Sequence, residues 1–582
     1  MRLKFFYLCY CFFFIANVNS NALDKKYNNY LLPKVLDEKD IETYKKAQYY
    51  FENYEWQKLD EELSKVKNNI LVGHFQYEKL MHPNKYKATY QELSKWFNNN
   101  QDLSPVLRNR VYKLLIRRLP DKEKRDFYKK PIFKNYLRGY GEDYHSRYTV
   151  KPSNNFNKLE MKKIVSSLIN NEKHNELVET IKKFYPGEKY IYYLINNEIK
   201  KVFFSGNLEQ SKKLYNFYID ALKVTDPNMY FRAGINSYRL QSFDKAKVYF
   251  NECSNLINQR NKWLAAGCLY WSAKLEKLKK NRIRKLKKAA RYPRTIYGQL
   301  AIEKLKISEP FIWEDESITS SIDFYVLNQY KLFKRAVALT ELKLYNHADI
   351  EIRNLYSKIN KKELENLFHA SEKLDLPAVL MRLGSKYYDK NAILYMRGLY
   401  PTPDWQIKEG YQLDKALLFA LIRRESAFNI KAKSEKGARG LMQIMPRTAS
   451  KLHNDYKLRY SKAYKLYSLQ LNMEIGQKFL KKLIESPNTN NSILDTLIAY
   501  NAGIKRLKAW KKNINVVEPI VFIESIPIKE TRWFVKYILT DLWIYRDRLK
   551  QNKPSRTLLA EGKIPIYKRL DFKLIQDAKY AK

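Results

Sequence analysis

Residues 414–428 read D-K-A-L-L-F-A-L-I-R-R-E-S-A-F. Leu418, Leu421, Ile422 and Glu425 recur at i, i+3, i+4 and i+7, the spacing of one helix face. Asp414 stands where an N-cap or first-turn acid belongs. The spacing therefore predicts a helix that starts at Asp414 and ends near Ala427. Glu425 continues its apolar stripe, while Arg423 and Arg424 point elsewhere. A carboxyl on an apolar face is poorly solvated, and the negative end of a helix dipole acts on it in the same direction, so its pKa rises. A glutamic acid held protonated near neutrality is what general acid catalysis requires.

Outward from this helix the chain stays helical. From about Asn21 to Lys390 apolar residues recur at three- and four-residue spacing with Lys and Glu between them. Ile41–Glu52, Asp102–Arg118, Leu208–Leu222 and Lys361–Leu374 are examples. The breaks carry turn residues, as at His82–Pro83–Asn84, Tyr185–Pro186–Gly187 and Asp226–Pro227–Asn228. Segments of this length joined by short polar turns predict stacked helical hairpins. Tyr230, Ala233, Tyr238, Phe243, Ala246 and Tyr249–Phe250 resemble a tetratricopeptide unit, but no strict repeat register follows, so the solenoid is irregular. Residues 398–412, with Gly398, Pro401, Pro403 and Gly410, form the clearest linker. The fold class is mainly α. The expected divisions are a signal peptide at 1–20, an α-superhelical region at 21–400 and a compact catalytic domain at 401–582.

The 582 residues are 45% hydrophobic, with only 16 Gly and 19 Pro, which favours packed helices over disorder or many short strands. Arg2 and Lys4 precede an apolar run from Phe5 to Ala16, and Val18 and Ser20 are small, the order of an export signal. Cys9 and Cys11 lie inside that signal. Cys253 and Cys268 flank a predicted turn at Asn258–Asn261. An oxidising compartment permits a disulfide between them, whereas packed helix axes about 8–10 Å apart favour two buried thiols; the two readings stand level. The net charge is +48. Export argues against nucleic acid as a partner, and the Lys residues are scattered through amphipathic segments rather than gathered in one arm. The charge is read mainly as composition, with attraction to acidic wall peptides as its functional side. The basic run from Lys279 to Lys288 is read as a solvated helix face. The seven histidines show no H-E-x-x-H and no Cys/His cluster, and there is no P-loop or G-x-G-x-x-G, so neither a metal nor a cofactor is expected.

Four blocks then converge: E-S-A-F at 425–428, S-E-K-G-A-R-G-L-M-Q-I-M-P-R-T at 434–448, A-Y-N-A-G at 499–503 and F-I-E-S-I-P-I-K-E-T-R at 522–532. In this order and at these separations they resemble the catalytic domain of the soluble lytic transglycosylases, whose fold is that of goose-type lysozyme. The resemblance extends over about Leu413 to Leu549. Further upstream, Tyr292–Pro293–Arg294–Thr295–Ile296–Tyr297–Gly298 is similar to a segment of the same family's helical part. By this resemblance Glu425 is the catalytic acid. Ser434 faces it across the cleft, where a hydrolytic lysozyme carries a second carboxylate. Gln443 and Met445 line sugar sites, Tyr500 lies near the catalytic carboxyl and Glu524 is a second acid of the cleft. On chemistry alone, Gln443, Asn501 and Tyr500 can supply hydrogen bonds to sugar, and Met445 and Tyr500 contact area. Gly437 and Gly440 serve either close substrate approach or a plain turn. Phe428 stands where some members carry Trp, Trp533–Phe534 where a smaller residue is common, and Glu435 directly follows Ser434; none of these is expected to act on the acid.

The resemblance implies non-hydrolytic cleavage of the β-1,4 bond between N-acetylmuramic acid and N-acetylglucosamine in peptidoglycan glycan strands. It implies that Glu425 serves as sole acid and base, that 1,6-anhydro ends are formed in the periplasm, and that the helical region closes into a ring. It also leaves the protein soluble, or peripheral to the wall or membrane. The rivals are a hydrolytic muramidase of the same fold and a non-enzymatic wall-binding scaffold.

Overall fold

The computed structural model describes residues 31–120, 126–132, 137, 152–153, 156–257, 261–313, 323–360, 363–391 and 395–571. The expected signal at 1–20 lies outside the described residues. The described chain is α-helical, with only isolated antiparallel bridges at Lys433/Arg439, Arg439/Ile444 and Ser492/Ile566. The mainly α expectation is met, and no described helix is long and apolar enough to cross a membrane.

The helices fall where the apolar spacing puts them. Helices run over Glu38–Glu52, Pro105–Arg117, Leu208–Leu222 and Glu363–Lys373. The cap chemistry is local and readable. Asp37, Asn157, Asn207 and Asp226 each accept a backbone N–H in the first turn of the helix they open. Thr89 and Glu92 complete a capping box before Tyr90–Asn99.

The chain divides into two compact units. The first combines Met1–Arg138 with Glu314–Leu380. Its apolar core includes Leu93, Trp96, Phe97, Leu107, Val111 and Ile350. A buried polar chain ties its two sequence segments together. His74 meets Glu351 at 3.2 Å, Arg335 donates to Glu351 at 3.0 Å, and Arg335 also donates to Asp102 at 2.8 Å.

The second unit combines Gly139–Trp313 with Met381–Lys582, so the expected boundary between residues 400 and 401 falls inside it. Its first part is a run of hairpins; from Lys189–Ser205 each helix packs on the next, through Leu208–Leu222, Pro227–Arg239, Phe243–Asn255, Lys262–Lys274 and Lys279–Ala290 to Ile296–Leu305. Cys253 and Cys268 are joined by a disulfide with Cα atoms 5.5 Å apart. The sequence left that bond open on the ordinary distance between helix axes. At that separation the two Cα atoms lie within the range a disulfide requires, closer than the ordinary distance between packed helix axes.

Candidate active site

Glu425 sits in the last turn of the helix Lys415–Ser426. Asp414 caps that helix as expected, its carboxylate accepting from Ala416 N at 2.9 Å and Leu570 N at 3.1 Å, with Arg546 3.4 Å away. The helix stops abruptly, because Ala427 (φ 49°) and Phe428 (φ 60°) are both left-handed. Two successive non-glycine residues in that region persist only where packing enforces them. Phe428 is held between Trp405 and Phe419, with ring centroids 6.1 and 6.2 Å away.

Near its C-terminal end the helix is pinned by its two arginines. Arg423 donates to Asp541 at 3.0 Å and to Leu399 O at 2.8 Å, and Arg424 forks onto the same carboxylate through Nε and Nη2. Asp541 is fully buried on the helix Lys529–Arg548, which packs along the Glu425 helix. Sequence reasoning missed Asp541. The signal was available in Arg423–Arg424: two cations on an otherwise buried helix demand a buried counter-charge.

The Glu425 residue is half-buried, and no described residue hydrogen-bonds or ion-pairs its carboxyl. Burial raises that carboxyl to about 8, and the negative charge of Glu530 pushes in the same direction. Glu530 stands exposed in the first turn of Lys529–Arg548 and was not singled out from sequence.

Tyr500 lies in the field of Glu425. Burial and then the Glu425 charge raise its phenol well above the usual value. The hydroxyl donates to Met442 O at 2.6 Å, which leaves its lone pairs as acceptors for a protonated carboxyl. Its ring stacks on Phe534, with centroids 6.2 Å apart and planes 5° apart. Asn501 accepts from Thr531 Oγ1 at 2.7 Å, and its amide nitrogen has no partner among the described residues. Met445 is 41% exposed, apolar surface suited to a sugar face.

The G-A-R-G-L-M-Q segment is a backbone-built turn. Ser434 Oγ accepts from Ala438 N at 3.0 Å, and the Gln443 amide donates to Gly440 O at 2.9 Å and Ala432 O at 3.3 Å. Both side chains are therefore engaged in shaping the loop, and Glu435 beside them is exposed. Gly440 shows why glycine is required. Its φ is +76°, and a Cβ there would lie 2.3 Å from both Leu466 O and Asn472 Nδ2. Asn472 ties the loop together, accepting from Met442 N at 2.8 Å and donating to Arg439 O at 2.9 Å. Gly440→Ala is expected to cost about 2 kcal/mol or more, from strain plus overpacking. A melting temperature equal to that of the unsubstituted protein would contradict this.

Glu524 has a different setting from the cleft position expected of it. It is 0% exposed. Tyr297 donates to it at 2.6 Å and Lys536 at 2.8 Å, with Arg232 3.5 Å away. Burial works to raise this carboxyl, but the charges of Lys536, Arg232 and Arg532 overcome it and hold the group at about 2. Its neighbours explain the Y-P-R-T-x-Y-G segment. Thr295 Oγ1 donates to Tyr292 O at 2.8 Å and accepts from Gly298 N at 3.0 Å, and a Cβ on Gly298 would meet Tyr292 O at 1.9 Å. That tight helix start aims Tyr297 at Glu524. It also places Arg294 3.4 Å from the Tyr400 hydroxyl, which donates to Asp541 at 3.2 Å. The segment thus reaches both buried carboxylates that brace the Glu425 helix and its neighbour. Among the described residues no group of three or more His, Cys, Asp or Glu is arranged to hold a metal.

Comparison with known proteins gives a consistent family. The family description "Transglycosylase SLT domain" matches residues 405–521. The soluble lytic murein transglycosylase of Escherichia coli K12 is 37% identical over 139 residues, 24% of this chain and 21% of that protein. The membrane-bound lytic murein transglycosylase E of Buchnera aphidicola subsp. Baizongia pistaciae is 32% identical over 149 residues, 24% of this chain and 69% of that protein. Among solved structures, the 70 kDa soluble lytic transglycosylase of Escherichia coli aligns with 91% of this chain and 99% of its own, at 17% identity and a TM-score of 0.47. The chain spans about a fifth of the length of the first curated relatives it matches.

Proposed function

This chain belongs to the lytic murein transglycosylase family, and we propose that it cleaves the β-1,4 bond between N-acetylmuramic acid and N-acetylglucosamine in peptidoglycan, leaving 1,6-anhydro ends. The carrying observation is Glu425, a carboxyl raised to about 8 with no ion-pair partner among the described residues. Protonated at neutrality, it donates its proton to the leaving oxygen. The substrate's own acetamido group stabilises the cationic centre, so no protein nucleophile is needed. The resulting carboxylate then takes the proton of the muramoyl 6-hydroxyl, which attacks the anomeric carbon and closes the anhydro ring. Tyr500, within electrostatic reach of Glu425, offers a hydroxyl oxygen as an acceptor near the acid. Asn501 and Met445 offer the substrate a donor and an apolar face, and Ser434 and Gln443 shape the loop that carries Met445. The order of residues 1–20 supports action in the periplasm after export.

Glu530 favours a second reading. An inverting hydrolase needs a second carboxylate to activate water, and Glu530, whose charge reaches Glu425, is the acid that would serve. The two readings differ in product, and the transglycosylase is preferred because Glu530 is exposed on a helix turn and is not braced as Glu425 is.

Clearance of a suspension of sacculi tests the enzyme reading against a scaffold. The rate should fall as pH rises through about 8, where Glu425 loses the proton it must donate. Folding stability should move in the same sense. A carboxyl raised in the folded state binds a proton that the unfolded chain has already released between its ordinary pKa and about 8, so its contribution is lost as pH rises through that window. A rate that climbs through pH 8 would overturn the acid assignment.

A further inference from the structure

The helix Lys279–Ala290 has the sequence K-K-N-R-I-R-K-L-K-K-A-A and no acid from Lys277 to Arg291. Leu286 and Ala289 are buried against the neighbouring helices. Lys285, which turns inward, has counter-charge: it meets Glu276 at 3.0 Å and Asn251 at 3.0 Å. The outward residues differ. Lys279, Lys280, Arg282, Arg284, Lys287, Lys288 and Arg291 are exposed, and no ion pair reaches them among the described residues. At about 100° per residue, Lys280, Arg284, Lys287, Lys288 and Arg291 fall within an arc of about 100°.

This arrangement works against the helix that carries it. Lys279, Lys280 and Arg282 sit in and beside a first turn that has no acid and no side-chain cap, where the macrodipole disfavours cations. Lys280/Arg284, Arg284/Lys288 and Lys287/Arg291 are like charges at i, i+4, which repel. An external counter-charge relieves both costs. The stripe presents point charges on long stems along a convex helix, with no aromatic ring and no neutral amide on the arc. Sugar recognition needs those flat and directional groups; a dense, laterally mobile array of anions does not. We infer that this face docks the protein onto an anionic phospholipid bilayer, held electrostatically and without insertion.

The test uses the full-length exported protein and vesicles containing phosphatidylglycerol, with pure phosphatidylcholine vesicles as the neutral control. Co-sedimentation should be strong on the anionic vesicles only and should fall with salt. The combined variant Lys280→Gln, Arg284→Gln, Lys287→Gln and Lys288→Gln should bind about 100- to 1,000-fold more weakly, since each cation near such a surface contributes about fivefold. Gln keeps the helix, which circular dichroism checks. A charge-matched variant on the exposed Lys39, Lys45, Lys46 and Lys87 should retain vesicle binding. Equal losses in both variants would reduce the effect to net charge and overturn the proposal. So would unchanged vesicle binding combined with weakened binding to sacculi, which would assign the stripe to the wall. None of these readouts requires catalysis, so failure of the proposed reaction and failure of this docking face remain distinguishable.

Discussion

Glu425→Gln is expected to lose at least about 10²–10⁴-fold in cleavage rate, the scale of general acid–base catalysis, while keeping its affinity for glycan. Gln preserves the shape of the side chain but cannot donate the first proton or accept the second. No second group replaces it in the proposed reaction, because the same carboxyl serves both steps. The substitution removes a half-buried acid without breaking any hydrogen bond or ion pair among the described residues, so the fold should survive it. Above neutrality the variant should be at least as stable as the unsubstituted protein, since it no longer holds a carboxyl that burial disfavours once ionised. Full activity in Glu425→Gln, measured as reducing or anhydro ends released from sacculi, would remove the site assignment altogether.

The second large effect is one of stability. Asp541 is the shared counter-charge of Arg423 and Arg424, and all three side chains are buried or nearly so. Asp541→Asn removes the counter-charge that the two buried guanidinium groups share. Breaking one side of a buried ion pair costs about 3–5 kcal/mol. The loss should appear in urea unfolding followed by tryptophan fluorescence, for which Trp543 lies two residues away. Where the variant is still folded, its activity should also fall, because Arg423 and Arg424 fix the turn of helix that carries Glu425. A change below about 1 kcal/mol would mean that this carboxylate is dispensable, contrary to the value expected for a buried pair.

What was legible in the sequence was what short range determines. The cap at Asp414, the stripe through Leu418 to Glu425 and the helix end at Ala427 are set by residues within a few turns of one another, and all three are found. Local periodicity likewise located the helices of the hairpin region. Partners distant in sequence were not legible. Asp541 is separated from Arg423 by 118 residues, and nothing local marks it as a partner. Glu524 is the sharper case. Its motif suggested an acid of the cleft, but the structure surrounds it with Tyr297, Lys536 and Arg232 from other helices, and a carboxylate so placed is a buried anchor. The sequence places Gln443 at a sugar site and Ser434 opposite Glu425 across the cleft; it does not show that hydrogen bonds to Gly440 O and from Ala438 N also tie both side chains into the turn. Residue type and spacing identify such polar groups; they do not say whether backbone or substrate is bonded.

The central claim is tested most directly by the mass of the products released from purified sacculi by the unsubstituted protein. A 1,6-anhydro terminus weighs one water less than a reducing terminus, so mass spectrometry separates ring closure by the 6-hydroxyl from attack by water. Predominantly anhydro ends are predicted, with Glu425 as sole acid and base. Predominantly reducing ends would contradict the transglycosylase reading and assign the site to a hydrolase using Glu530.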